Sequence, residues 1–121
     1  MAAPNLVNVS TITAKSVQAN LSTTVTTEIL ANASSSNKVF KINSIIIANV
    51  DGSNSADATV AITKSGGSPI KIASTIAVAA DSTLILIDKN SSLYLEEGDN
   101  IEAGASAASD LTITINYEEL S

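Results

Sequence analysis

The chain has 121 residues, with six lysines, no arginine or histidine, and twelve acidic residues, for a formal charge of −6. That length carries one domain with one core, and the negative balance opposes sequence-independent attraction to nucleic acid or to an anionic membrane. With neither cysteine nor histidine, disulfides, thiolate metal sites and the commonest general base are excluded together.

The apolar residues are mainly Ala, Ile, Val and Leu, with one Phe, two Tyr and no Trp, so the expected core is aliphatic, β-branched and suited to strands. No apolar run approaches the roughly 20 residues that span a bilayer. Met1 to Asn5 lacks the basic start of a signal peptide, so a soluble product made in the cytoplasm is expected. Charge is uneven: residues 1 to 80 hold five lysines against three acids, and residues 81 to 121 one lysine against nine. Such a division reads as a solvated acidic surface or as complementary ends of neighbouring subunits.

Residues 1 to 20 carry Pro4 and scattered Leu6, Val7, Val9 and Ile12. They read as an N-terminal arm with a short strand near Leu6 to Thr13, or as a first edge strand of the domain formed by residues 21 to 121. As an arm, they would lie on another chain or pair with a sheet edge. Thr23, Val25, Thr27 and Ile29 then alternate, and Ala33 to Asn37 form a loop. From Lys38 to Asp51 the strongest strand has Phe40, Ile42, Ile46, Ala48 and Val50 on one face, with Ile45 and Ile47 beside Lys41 and Asn43 on the other.

Asp51, Ser53, Ser55 and Asp57 have the alternating oxygens of a calcium loop, but the Gly and bidentate Glu of an EF-hand are misplaced. An ordinary loop fits better, and a calcium ion there stays an open alternative. Ala58, Val60 and Ile62 make the next row, Lys64 to Pro69 a turn, and Ile70, Ile72, Ile76 and Val78 a further row. Between Thr83 and Asp88, Leu84 and Leu86 point one way and Ile85 and Ile87 the other. The chain closes with two strand signals, Leu93 with Leu95 and Leu111 to Tyr117, on either side of a Gly98-Asp99 turn and Ile101. Seven to nine strands with frequent turns indicate a β-sandwich or barrel.

Two of these strands are apolar on both faces. Leaving each such Ile in water forgoes roughly 1.5 to 3 kcal/mol, so Ile45, Ile47, Ile85 and Ile87 are expected to meet a subunit partner, with a homotrimer favoured. Candidate chemistry is thin. Ser35 to Lys38 and Ser68 to Lys71 match Ser-x-x-Lys, but without the helix that motif needs. Glu96, Glu97 and Asp99 have no cationic or aromatic partner near in sequence that would make paired carboxylates act on a sugar, and Glu96 and Glu97 point to opposite sides of a strand. No catalytic, cofactor-binding or metal-ligating residue is assigned, and no enzyme activity is expected.

Met1 to Ile12, Ser92 to Ile101, Ala105 to Ala108 and Tyr117 to Glu119 resemble small virion structural proteins of tailed phages, notably those of marine and cyanobacterial hosts. The Leu-x-Leu-x-x-Gly-Asp-x-Ile run from Leu93 to Ile101 is similar to the last strands of jelly rolls of the tumour-necrosis-factor and complement-C1q type. These resemblances imply an all-β, jelly-roll-like antiparallel β-sandwich of about eight strands. They also imply a non-catalytic virion component, such as a capsid decoration or cement protein contacting a major capsid protein. A tail, adaptor or fibre module and a host-surface carbohydrate-binding module are the alternatives. Leu6, Val7, Val9 and Ile12 would then join the four isoleucines at the interface, and Gly98 and Asp99 would serve the turn.

Overall fold

The computed structural model describes residues 6–121. Nine strands are present: β1 (Ile12–Asn20), β2 (Glu28–Ala31), β3 (Val39–Asn49), β4 (Ala56–Thr63), β5 (Ile70–Val78), β6 (Thr83–Ile87), β7 (Leu93–Leu95), β8 (Asn100–Ala105) and β9 (Leu111–Leu120). One sheet has the order β1-β9-β3-β6, with β7 also on β3, and the other β2-β8-β4-β5. All the pairings are antiparallel. Strands β6 and β7 pair with successive parts of β3, Ile45 to Ala48 and Phe40 to Ile42 respectively. They are one strand interrupted by a 3-10 turn, Lys89–Ser91, capped by the Asp88 side chain. Counted so, eight strands form two four-stranded sheets in jelly-roll order, the chain changing sheet at every connection except β4 to β5.

The core lies between the sheets and is aliphatic: Ile42, Ile45, Ile47, Val60, Leu95, Ile101, Leu111, Ile113 and Ile115 are almost wholly buried. Its aromatic members, Phe40 and Tyr117, meet at one end with ring centroids 5.0 Å apart. Strand β9 shows why alternation builds this core. Leu111, Ile113, Ile115 and Tyr117 are buried while Thr112, Thr114 and Asn116 are half-exposed, and from Thr112 onward the strand pairs with both β1 and β3.

Strand β3 departs from strict alternation. Its register with β9 shifts between Ile42 and Ser44, a β-bulge that flips the phase of everything after it. Phe40 and Ile42 face inward before the bulge, and Ile45 and Ile47 after it, each of the latter 0% exposed. The expectation that Ile46, Ala48 and Val50 share a face with Phe40 and Ile42 is therefore corrected. A second shift, between Ile45 and Ile46, leaves Leu86 as an extra residue on β6. Hence Ile87 is buried and Ile85 is 62% exposed, and these two do not share a face as expected.

Of the expected arm, residues 1 to 5 with Pro4 lie outside the described residues, and the rest divides between turn and strand. From Ile12 it forms an edge strand, β1, paired with β9 through Asn20. Leu6–Asn8 is a single 3-10 turn rather than strand. The amides of Ser10 and Thr11 both donate to the Ser121 carbonyl, at 2.7 and 3.0 Å, so the lead into β1 is tied to the chain's own C-terminal end. The expected strand through Thr23, Val25 and Thr27 is shorter, beginning only at Glu28. The preceding residues cross between sheets along β8, with Ala105 N donating to Ser22 O and Ala103 N to Thr27 O. They pass so near Gly104 that a Cβ there would lie 2.5 Å from the Val25 Cα, so only glycine admits this crossing.

Candidate functional site

The eight apolar residues assigned to an interface do not gather into one patch. Ile45, Ile47 and Ile87 belong to the protein's own core and have no surface to offer a neighbour, which removes the geometry that motivated a trimer. Val7 and Ile12 are exposed and Val9 half-buried, near the β1 edge. Ile85 lies on β6, at the opposite edge of the same sheet. Leu6 lies in the 3-10 turn.

A different apolar surface is present on β5. Ile70 is 69% exposed, Ile72 36% and Ile76 41%. Strand β5 is the outer strand of its sheet, as β6 is of the other, and the two touch along one flank of the sandwich. Ile85, paired with the half-exposed Ile46, lies on the outer face of its own sheet beside this flank rather than within it. Ile76 pairs with buried Ala58, and Ile70 with Ile62, which packs on the core. Their exposure follows from edge position rather than from facing away. Pro69 and Lys71 at the start of the strand were the available signals of an edge.

The predicted turn at Gly98 is the centre of a polar knot. Gly98 has φ +86°, and a Cβ there would lie 2.7 Å from the Ser65 Oγ. Asp99 is 2% exposed and accepts from Glu96 N at 2.8 Å, Ser65 N at 3.0 Å and Lys64 Nζ at 2.5 Å. Lys64 also donates to Glu96 at 2.7 Å, and these two carboxylate contacts, that of Asp99 first, raise the lysine's pKa. Glu97 turns elsewhere and accepts from Asn37 N. Beside them the buried Asn32 side chain donates to the carbonyls of Lys38 and Leu95 and accepts from the Ser36 hydroxyl. The three acids are thus occupied in joining the β2–β3, β4–β5 and β7–β8 connections.

At the other end, the Asp51 loop closes as an Asx turn, with the carboxylate accepting from Ser53 N at 2.7 Å and Asn54 N at 3.2 Å. These bonds hold the Asp51 pKa below the usual carboxylate value. Asp110 nearby is pushed up by desolvation and by the negative charge of Asp51. Among the described residues, no three acidic side chains are arranged to hold a metal ion. Glu119 is 12% exposed and lies 3.3 Å from Lys15 and 3.0 Å from Lys38. Burial opposes its ionisation, but the two ammonium groups outweigh it and lower the pKa. Lys15, Lys38 and Lys64 of the basic half are thereby paired within the chain to acids of the acidic half, so much of the charge asymmetry is satisfied internally.

The outer face of the β1-β9-β3 sheet carries two shallow hollows. One, of about 340 Å³, is lined by Gln18, Asn20, Thr112 and Thr114. The other, of about 390 Å³, has Ser16, Asn43, Asn116 and Glu118 around it. Polar groups prevail in the first, whereas the second, which Ala14 and Tyr117 also line, exposes more apolar surface. The arrangement as a whole is that of a jelly roll with a bare aliphatic flank, bulged edges and stapled loops. In comparison with known proteins, no family model matches the chain and no curated protein matches it either.

Proposed function

We propose that the protein is a non-catalytic structural component of a phage virion, serving as a decoration or cement protein that binds a capsid in many copies. The resemblance of the chain's two ends to small virion proteins suggests the class. The observation that carries the reading is the bare aliphatic row of Ile70, Ile72 and Ile76 along β5. Burying one such side chain is worth roughly 1.5 to 3 kcal/mol, so the flank gives adhesion without any reactive group. Weak contacts of this kind add by avidity when copies sit on a repeating lattice. The compact jelly roll supplies a rigid body, and the loop knots around Asp99 and Asn49 hold its ends. Asn49 does so by donating to the carbonyls of Asn54 and Val78.

The uncharged Gln18, Asn20, Thr112 and Thr114 hollow favours, as a second reading, contact with a neutral polyhydroxylated ligand such as a host-surface glycan. Its lack of an aromatic ring weighs against it.

The test is to image intact particles by electron cryomicroscopy and to add purified protein to particles lacking it. Lattice-wide density with the β5 flank against the shell, lost on Ile70→Lys with Ile76→Lys, is the expected result. Density confined to one vertex would favour a tail role. No particle association, with retention on glycan surfaces, would overturn the cement reading.

A further inference from the structure

The four edge strands are not equally open. Strand β2 is four residues long and its register with β8 shifts between Glu28 and Leu30. Strand β5 carries two register shifts against β4 and holds Thr75, a β-branched residue, at φ 48°. On the fourth side β6 and β7 are five and three residues with a 3-10 turn between them. Bulges, short length and interruption are the devices that stop a sheet edge from accepting another strand. Strand β1 has none of them. All nine of its residues pair with β9 in unbroken register, and among the described residues it pairs with β9 alone. Its other edge touches β2 without pairing to it and so presents its amides and carbonyls in a straight row.

We propose that this edge is an interaction surface whose occupant is β1 of a second copy, joined antiparallel about a two-fold axis at Ser16. In that register every residue of the strand finds a partner. Ser16 faces its own copy, Lys15 faces Val17, Ala14 faces Gln18, Thr13 faces Ala19 and Ile12 faces Asn20. No like charges stand opposite, because the strand's one charge, Lys15, is held 3.3 Å from Glu119 of the same chain. The residues beside Ser16 on the outer face, Ala14 and Gln18, are small or uncharged, so two strands approach without repulsion. The 62% exposed Ile12 gains cover at each end. Two four-stranded sheets thus become one eight-stranded sheet with a closed two-fold contact, which adds no new open edge.

A contact of nine residue pairs sits at the small end of specific interfaces, so assembly depends on concentration. The proposal is independent of the virion reading and is tested on the purified chain alone. Analytical ultracentrifugation over a concentration series is expected to show monomer passing to a species of twice the 12.3 kDa chain mass. Amides of β1 should become protected from hydrogen exchange over the same range. Ser16 is exposed, so Ser16→Lys and Ser16→Glu should each leave thermal unfolding of the monomer unchanged. Each should raise the dimer dissociation constant about fivefold by placing like charges face to face. An equimolar mixture of the two should dimerise at least as well as the parent. A monomer at every concentration, a trimer, or a dimer indifferent to both substitutions would overturn the proposal.

Discussion

Asp99 is a buried carboxylate at the end of the sandwich, and the structure allows its contribution to be divided. Its Oδ1 accepts from the Ser65 amide at 3.0 Å, and its Oδ2 from the Glu96 amide at 2.8 Å and from Lys64 Nζ at 2.5 Å. Hydrogen bonds to a charged group are worth about 1.5 to 3 kcal/mol each, but removing a buried carboxylate also relieves its desolvation. The two amide bonds together therefore contribute about 3 kcal/mol. The Lys64 side chain is 53% exposed, so its share falls to about 1 kcal/mol or less. Asp99→Ala should then cost about 3 kcal/mol, or about 12 °C in melting temperature for a domain of this size, whereas Lys64→Met should cost no more than about 1 kcal/mol. Asp99→Asn should recover only part of the loss, because its NH2 group must face one of the donors. Urea unfolding at neutral pH, with the slope checked for constancy, measures all three. If Lys64→Met costs as much as Asp99→Ala, or Asp99→Ala costs less than about 1 kcal/mol, the amides are not what the carboxylate is there to hold.

Gly98→Val should cost more than the roughly 1 kcal/mol of an average substitution, since it meets both a φ of +86° and the Ser65 side chain. Ser65→Gly in the same chain should restore only part of the loss, measured by the same urea titration. Glu119 has a folded pKa below its ordinary value of 4.5, so its contribution is fully present above that pH and disappears as pH falls through the folded value. Glu119→Gln should therefore flatten the acid side of the stability profile measured by thermal unfolding. Asp110 behaves oppositely: its folded pKa is above the ordinary 3.8, so its ionisation disfavours the fold as pH rises through that window. Asp110→Asn should raise the melting temperature at neutral pH and make little difference well below pH 3.8.

What could be read from the residues, and what could not, divides by the range of the interaction. Strand β9 and the Gly98 turn were legible because alternation and a positive φ are local properties of the chain. The number of strands was legible for the same reason. The burial of Ile45 and Ile47 was not, because one bulge at Asn43 reverses the phase and nothing in Lys41-Ile42-Asn43-Ser44 marks it. Ile70, Ile72 and Ile76 were visible as a strand but not as a surface, since whether a strand is central or outermost is decided by topology. Asp99 was recognised as a turn residue, while its partners Lys64 and Ser65 lie on another connection. The Lys15 and Lys38 pairs with Glu119 likewise join β1 and the start of β3 to the end of β9.

Two deletions separate attachment through the segment before β1 from attachment through the β5 flank. Ser10 N and Thr11 N donate to Ser121 O, Ser121 N donates back to Thr11 O, and Ile12 and Thr13 pair with Leu120 and Glu119. Leu120 and Val39 sit opposite one another there, 6% and 8% exposed, although their register puts them on the side of the sheet away from the main core. Removing residues 2 to 9 leaves these bonds in place and should shift the melting temperature little. Removing residues 2 to 13 strips the end of β9 and uncovers Leu120, whose burial alone is worth about 1.5 to 3 kcal/mol, so it should lower the melting temperature by several degrees. If the first deletion abolishes particle binding while the fold is intact, residues before Ser10 are the attachment device. If only Ile70→Lys with Ile76→Lys abolishes it, the β5 flank is. A deletion of residues 2 to 13 that leaves thermal unfolding unchanged would show that the bonds to Ser121 do not hold the end of the sheet, and would return this segment to the reading of an arm made for another chain.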